Sequence, residues 1–84
     1  MNTGVTHRLV GYDKATGRVA VEHDIPPYRL EHAKGLAGVG ADDPQAVLCY
    51  RLSPRQARDL AAAIGAPVDA NALNFFMEGF AAAP

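Results

Sequence analysis

Few residues in this chain could do chemistry, and they are scattered. His7, His23 and His32, with Asp24, Asp42 and Cys49, are the candidates for metal ligation or nucleophilic catalysis. A metal site announces itself by ligands at short fixed spacing, such as H-E-x-x-H or a pair of close cysteines. Neither pattern occurs. His7 and His23 fall on neighbouring strand-like stretches and could meet across a hairpin, but two ligands make a weak site. No metal and no cofactor are therefore expected. Cys49 with His23 and Asp24 is the one set that could build an activated nucleophile. Nothing around Cys49 carries such a signature, and it reads as a small hydrophobe, buried and inert in a strand. His23 reads as a half-buried strand histidine with a backbone partner. The chain is expected not to be an enzyme. A small-molecule binder or enzyme using His23, Asp24 and Cys49 is the alternative.

Two further stretches resemble binding motifs without meeting their requirements. Gly35-Leu36-Ala37-Gly38-Val39-Gly40 lacks the order G-x-G-x-x-G, does not follow a strand and has no terminal Lys-Ser/Thr. Its likeness to the loop of a KH domain fails on charge, because the flanking chain is neutral to acidic. Asp42 and Asp43 could bind a cation or a basic partner. Standing before Pro44, they read first as a turn, since the residue before proline avoids the helical region.

The elements that must position these residues are organised around one helix. Ser53 is a good N-cap, Pro54 suits the first helical position, and Gln56 completes a capping box. Gly65 can end the helix and Pro67 prevents its continuation. Ala57, Leu60, Ala61 and Ile64 form the apolar stripe. Arg55, Arg58 and Asp59 face elsewhere, with Arg55 and Asp59 spaced as an i,i+4 pair. The two arginines could touch an acidic partner, although a solvated face is the commoner use of such charges.

Before this helix lie two strands, Val5–Tyr12 and Arg18–Ile25, joined by the turn Asp13–Gly17 into an antiparallel hairpin. In the second, Val19, Val21, His23 and Ile25 alternate with Arg18, Ala20, Glu22 and Asp24. Pro26-Pro27 stops it. Tyr28–Val39 is a poor helix, short or frayed, because Gly35 and Gly38 each cost about 1 kcal/mol against alanine. Val47–Leu52 is a third strand. For residues 71–81, the spacing of Leu73, Phe76, Met77 and Phe80 favours a helix, with a fourth strand as the alternative. The fold class is α+β: a small antiparallel sheet of three or four strands covered by two or three helices, in the order ββαβα plus a C-terminal helix or strand.

Composition narrows the function. Eighty-four residues make a single domain, 1–84, with 1–4 and 82–84 expected to fray. So short a chain buries only about 60% of its unfolded surface. A hydrophobic content of 49% with 20% charge is that of a globular protein. A net charge of −1 gives no electrostatic case for nucleic acid or an anionic membrane. No apolar run approaches the roughly 18 residues of a membrane span, and no signal-peptide core follows Met1. One cysteine excludes an internal disulfide framework and fits a reducing compartment, so the expected location is cytoplasmic.

Several short motifs occur in a common order. They are Tyr12-Asp13-Lys14-x-Thr16, Asp24-Ile25-Pro26, Asp42-Asp43-Pro44, Cys49-Tyr50-x-Leu52, Gln56 and Phe75-Phe76-Met77-Glu78. In these the chain resembles a family of short uncharacterised bacterial proteins, over residues 8–80. The resemblance implies no established activity. Some such small proteins lie beside secreted-toxin genes, which would imply an immunity role. The family's Tyr-Phe-Leu-Glu ending would make the last segment a strand.

The expected function is thus a non-enzymatic protein-binding module, immunity or regulatory in role, with a structural homodimer as a further alternative. Whether residues 71–81 are helix or strand, Phe75 and Phe76 point to different sides, so one aromatic is left for a partner or a second copy. Phe75, Arg55, Arg58, Asp42 and Asp43 are the candidate partner-binding residues. The helix assignment makes a direct prediction. Leu60→Ala should destabilise by about 2–5 kcal/mol, as for other buried leucines. Arg58→Ala should cost less than about 0.5 kcal/mol. Thermal or urea melts giving equal losses would show the helix faces to be misassigned.

Overall fold

The computed structural model describes residues 5–66 and 68–81. The ends expected to fray, and Pro67, lie outside them. A nine-residue strand β1 (Val5–Asp13) turns into β2 (Val19–Ile25), and Asp13 holds the turn by accepting from the N–H groups of Ala15 and Thr16 at 2.8 and 2.9 Å. A single 3-10 turn, Pro27–Arg29, leads into the short helix α1 (Leu30–Ala37). Then come β3 (Tyr50–Leu52), α2 (Pro54–Ile64) and β4 (Leu73–Ala81). The strands form one antiparallel sheet in the order β2-β1-β4-β3. The fold is the α+β class expected, with four strands and two α-helices among the described residues.

The capped helix forms as its sequence requires. Ser53 Oγ accepts from Gln56 N at 3.1 Å, and Gln56 Oε1 accepts from Ser53 N at 2.8 Å. Gln56 also donates to the carbonyl of Leu36 at 3.1 Å, tying α2 to α1. Gly65 ends the helix at φ 71°, a left-handed conformation that suits glycine. Ala57, Leu60 and Ala61 are buried, whereas Arg55, Arg58 and Asp59 are exposed. No ion pair joins Arg55 to Asp59.

Residues 73–81 are a strand, which corrects the helical expectation. β4 lies between β1 and β3 and pairs with β1 from Val5↔Ala81 to Asp13↔Leu73. Pairing with β1 over its whole length, together with burial of Phe75 and Met77, overrides the local helical spacing. It also decides the two aromatics. Phe75 stands opposite Gly11 and Leu52 on the helix-covered face and is 2% exposed. Phe75 is therefore core and not a partner-binding residue. Its ring needs the space that Gly11 leaves: a Cβ there would meet Phe75 Cε1 at 2.7 Å. The core joins Leu9, Ile25, Leu52, Phe75 and Met77 of the sheet to Ala33, Ala37, Ala57, Leu60 and Ala61 of the helices. The small alanines let the two helices approach closely.

The connection before β3 brings two further corrections. Asp43, expected as a surface residue open to partners, is 7% exposed. Its carboxylate accepts from Val47 N at 3.0 Å, Leu48 N at 3.1 Å and the hydroxyl of Tyr50. Those amides are thereby lost to the sheet, so β3 starts at Tyr50 and not at Val47. Cys49 falls just outside the strand and is exposed, not buried. Buried His7 contacts the same connection, its Nε2 lying 2.8 Å from the carbonyl oxygen of Gln45.

The hydroxyl of Tyr50 holds the Asp43 carboxyl below its ordinary 3.8; burial opposes this, and the two backbone N–H groups add to the lowering. A carboxyl depressed in the folded state adds stability above its unfolded pKa and loses it as pH falls through the folded value. The melting temperature should thus fall as pH drops below about 4, the ordinary carboxyl value. Asp43→Asn should melt lower at pH 7 and show a flatter acid limb. An unchanged acid limb would contradict this role.

Candidate functional site

The helices cover one face of the sheet, and among the described residues no element covers the other. Strand alternation and register place the side chains of the open face. Asp24, Arg8 and Glu78 form one row across β2, β1 and β4, and Cys49, the residue before β3, lies beside Glu78. Glu22, Val10, Phe76 and Arg51 form the next, Tyr12 and Asn74 a third, and Thr6 with Phe80 lie at the far end.

Long side chains lie over this face in place of a second layer. Val10 is 1% exposed, yet it is not part of the cluster under the helices. Tyr12 packs edge-on against Phe76 at 5.5 Å between ring centroids, and its hydroxyl donates to Glu78. Arg8 stacks over Phe80 at 4.7 Å and Arg51 over Phe76 at 5.8 Å. An aromatic pair of this kind adds about 0.5–1.5 kcal/mol beyond its buried area. Arg8 also holds Glu22 at 2.7 Å and Asp24 at 3.3 Å. Being exposed, such pairs contribute about 0–1 kcal/mol each and serve more to orient the guanidinium.

The acceptor Glu78 pushes the Tyr12 hydroxyl up to about 12, first through their hydrogen bond and then with the help of burial. Partial burial of the thiol raises Cys49 above its ordinary value, and the charge of Glu78 adds to this. Tyr12, Glu78 and Cys49 share a shallow depression of about 360 Å³. The hydrogen bond to Glu78 opposes ionisation of the hydroxyl and partial burial opposes that of the thiol, so this surrounding activates neither.

The expected candidates are not brought together. β2 and β3 are the two edges of the sheet, so His23 and Asp24 lie about 14 Å, three strand spacings, from Cys49. His23 and Asp24 also point to opposite faces. His7 and His23 share a face but stand opposite Ile25 and Leu9, and do not form a pair. No group of three or more metal-ligating side chains occurs among the described residues. Arg55, Arg58 and Asp42 remain exposed, and the two arginines lie on α2, away from the open face. Sequence reasoning missed Tyr12, Phe76, Phe80, Arg8 and Arg51. Their signal was the period-two pattern Asn74, Phe76, Glu78, Phe80, which assigns one aromatic set to one face.

Cys49 supplies the test of these electrostatics. It should react with a thiol reagent in the native state, more slowly than a free cysteine at the same pH, because little of it is thiolate. Glu78→Gln removes the adjacent charge and should speed the reaction. An unchanged or slower rate would contradict the assignment.

No helix of the described residues is long and apolar enough to cross a membrane. No curated protein and no solved structure matches the chain. A family model does match, over residues 6–78, and by it the chain belongs to the family described as domain of unknown function DUF7683.

Proposed function

We propose that the chain is a non-enzymatic protein-binding module that engages its partner through the open face of the sheet. One observation carries this reading: the face without helices presents Tyr12, Phe76 and Phe80 among charges of both signs. Aromatic residues and arginine are the side chains most enriched at protein interfaces, where a rigid ring and a flat guanidinium bury much area at little entropic cost. The separation of His23 and Asp24 from Cys49 weighs against the enzymatic alternative. An immunity or regulatory role is a task of this kind, and the single, exposed cysteine suits a cytoplasmic setting.

The test is capture of a partner from the native host by tagged wild-type and variant chains, each first shown to melt normally. Arg51→Glu and Phe76→Ser should abolish capture, and Arg58→Glu on α2 should leave it unchanged. Loss through Arg58→Glu, or indifference to Arg51→Glu and Phe76→Ser, would overturn the reading. Light scattering of the purified chain reads out the case in which the partner is a second copy.

A further inference from the structure

β2 is an edge strand. Its inner side pairs with β1, and among the described residues no strand pairs with its outer side. Edges of this kind are templates for strand addition unless they are blocked. Here the blocks sit at the two ends. Register slips between Gly11 and Tyr12, where Val19 and Ala20 together oppose Tyr12, and this bulge turns Val19 onto the open face. Pro26 ends the strand on the other side. Val21–Ile25 is left as a regular run, with Val21, His23 and Ile25 toward the helices and Glu22 and Asp24 toward the open face.

The charges of this run decide what can join it. A two-fold pairing with a second copy centred on Glu22 sets that carboxylate against itself. Centring on His23 sets Glu22 against Asp24 twice, and centring on Asp24 repeats the clash. Centring on Val21 carries the ladder into the bulge, where the faces no longer match. Like charges directly opposite each other destabilise a strand pair, which disfavours self-pairing centred on Glu22, His23 or Asp24, while the bulge cuts short a ladder centred on Val21 and Pro26 one centred on Ile25. A strand of opposite charge is favoured by the same residues. Arg8 neutralises only one of the two carboxylates it contacts, and the Asp24 side chain is 88% exposed.

We infer that the outer edge of β2 accepts an extended basic segment of a partner protein as a fifth strand, with Lys or Arg at alternate positions against Glu22 and Asp24. This rests on the protein-binding reading and names the partner's chemistry. The intervening residues of that segment, apolar or small, would extend the surface of Val21 and His23. Main-chain hydrogen bonds would supply affinity and the alternating charges would supply choice.

The experiment is an NMR titration of the labelled full chain with a capped peptide, Thr-Lys-Val-Lys-Val-Thr, and with its counterpart carrying Glu for Lys. The basic peptide should give saturable shifts centred on Val21–Ile25 and slow the exchange of alternate β2 amides. Glu22→Gln with Asp24→Asn should weaken it by about tenfold, the scale of close charge pairs lost across an interface. The acidic peptide should not bind. Absence of saturable shifts, equal binding of both peptides, or indifference to the double variant would overturn the inference. Binding lost in Arg51→Glu but kept in the double variant would overturn it too, while leaving the open-face reading intact. Conversely, Arg51→Glu that abolishes partner capture but not peptide binding separates the face from the edge.

Discussion

The ladder between β1 and β4 is the constraint on which the rest depends. Two nine-residue strands from opposite ends of the sequence pair in one unbroken antiparallel register. They occupy the middle of the sheet, so β2 and β3 can only be its edges. Everything that follows is geometry. Leu9, Phe75 and Met77 must face one way and Val10, Phe76 and Glu78 the other. The capped helix and its short neighbour have surface enough to cover one of those sides. Among the described residues the second side is left to its own side chains, and Val10, set in the register between Glu22 and Phe76, is buried there without a helix above it. Closing a ladder between such distant segments is entropically expensive, and folds built on non-local pairing form slowly for that reason.

A second constraint acts on the connection between α1 and β3. One carboxylate, Asp43, gathers two backbone amides and a tyrosine hydroxyl, and Lys34 donates to the carbonyl of Pro44 at 2.5 Å. These bonds let a loop with little regular structure lie against the core. They also shorten β3 to three residues, a length that offers little edge to pair with. The two edges of the sheet are therefore unequal. β3 is short and followed at once by the capped helix, while β2 keeps five regular residues whose outer backbone no strand among the described residues pairs with.

How much of this was legible in the sequence follows from the range of each interaction. The helix Ser53–Gly65 could be read residue by residue, because capping and stripe are decided within a few positions of one another. The hairpin turn at Asp13 was legible for the same reason. The last strand was misjudged because helical and alternating patterns overlap in Leu73–Phe80, and only pairing with β1 chooses between them. With that choice went the side on which Phe75 lies. Asp43 read as one half of a surface acid pair; its burial depends on Tyr50 and on backbone several residues away. Cys49 read as a strand residue, and was left outside the strand by those same bonds. At β2 the alternation held from Val21 to Ile25 and failed at Val19, since a bulge leaves no mark in a two-residue period. The open face is written in the sequence as Phe76, Glu78 and Phe80, but only the placing of both helices on the other side makes it a candidate site.

Among the described residues this sheet is covered on one side and open along β2. Residue-resolved amide hydrogen exchange on the dilute, isolated chain measures it most directly. Protection should be highest where strands pair on both sides, over His7–Tyr12 of β1 and Phe75–Met77 of β4, and should alternate along Val21–Ile25, with every second amide exchanging fast. Uniform protection of β2 at the level of β1 would mean that something already covers the edge, and would contradict the account.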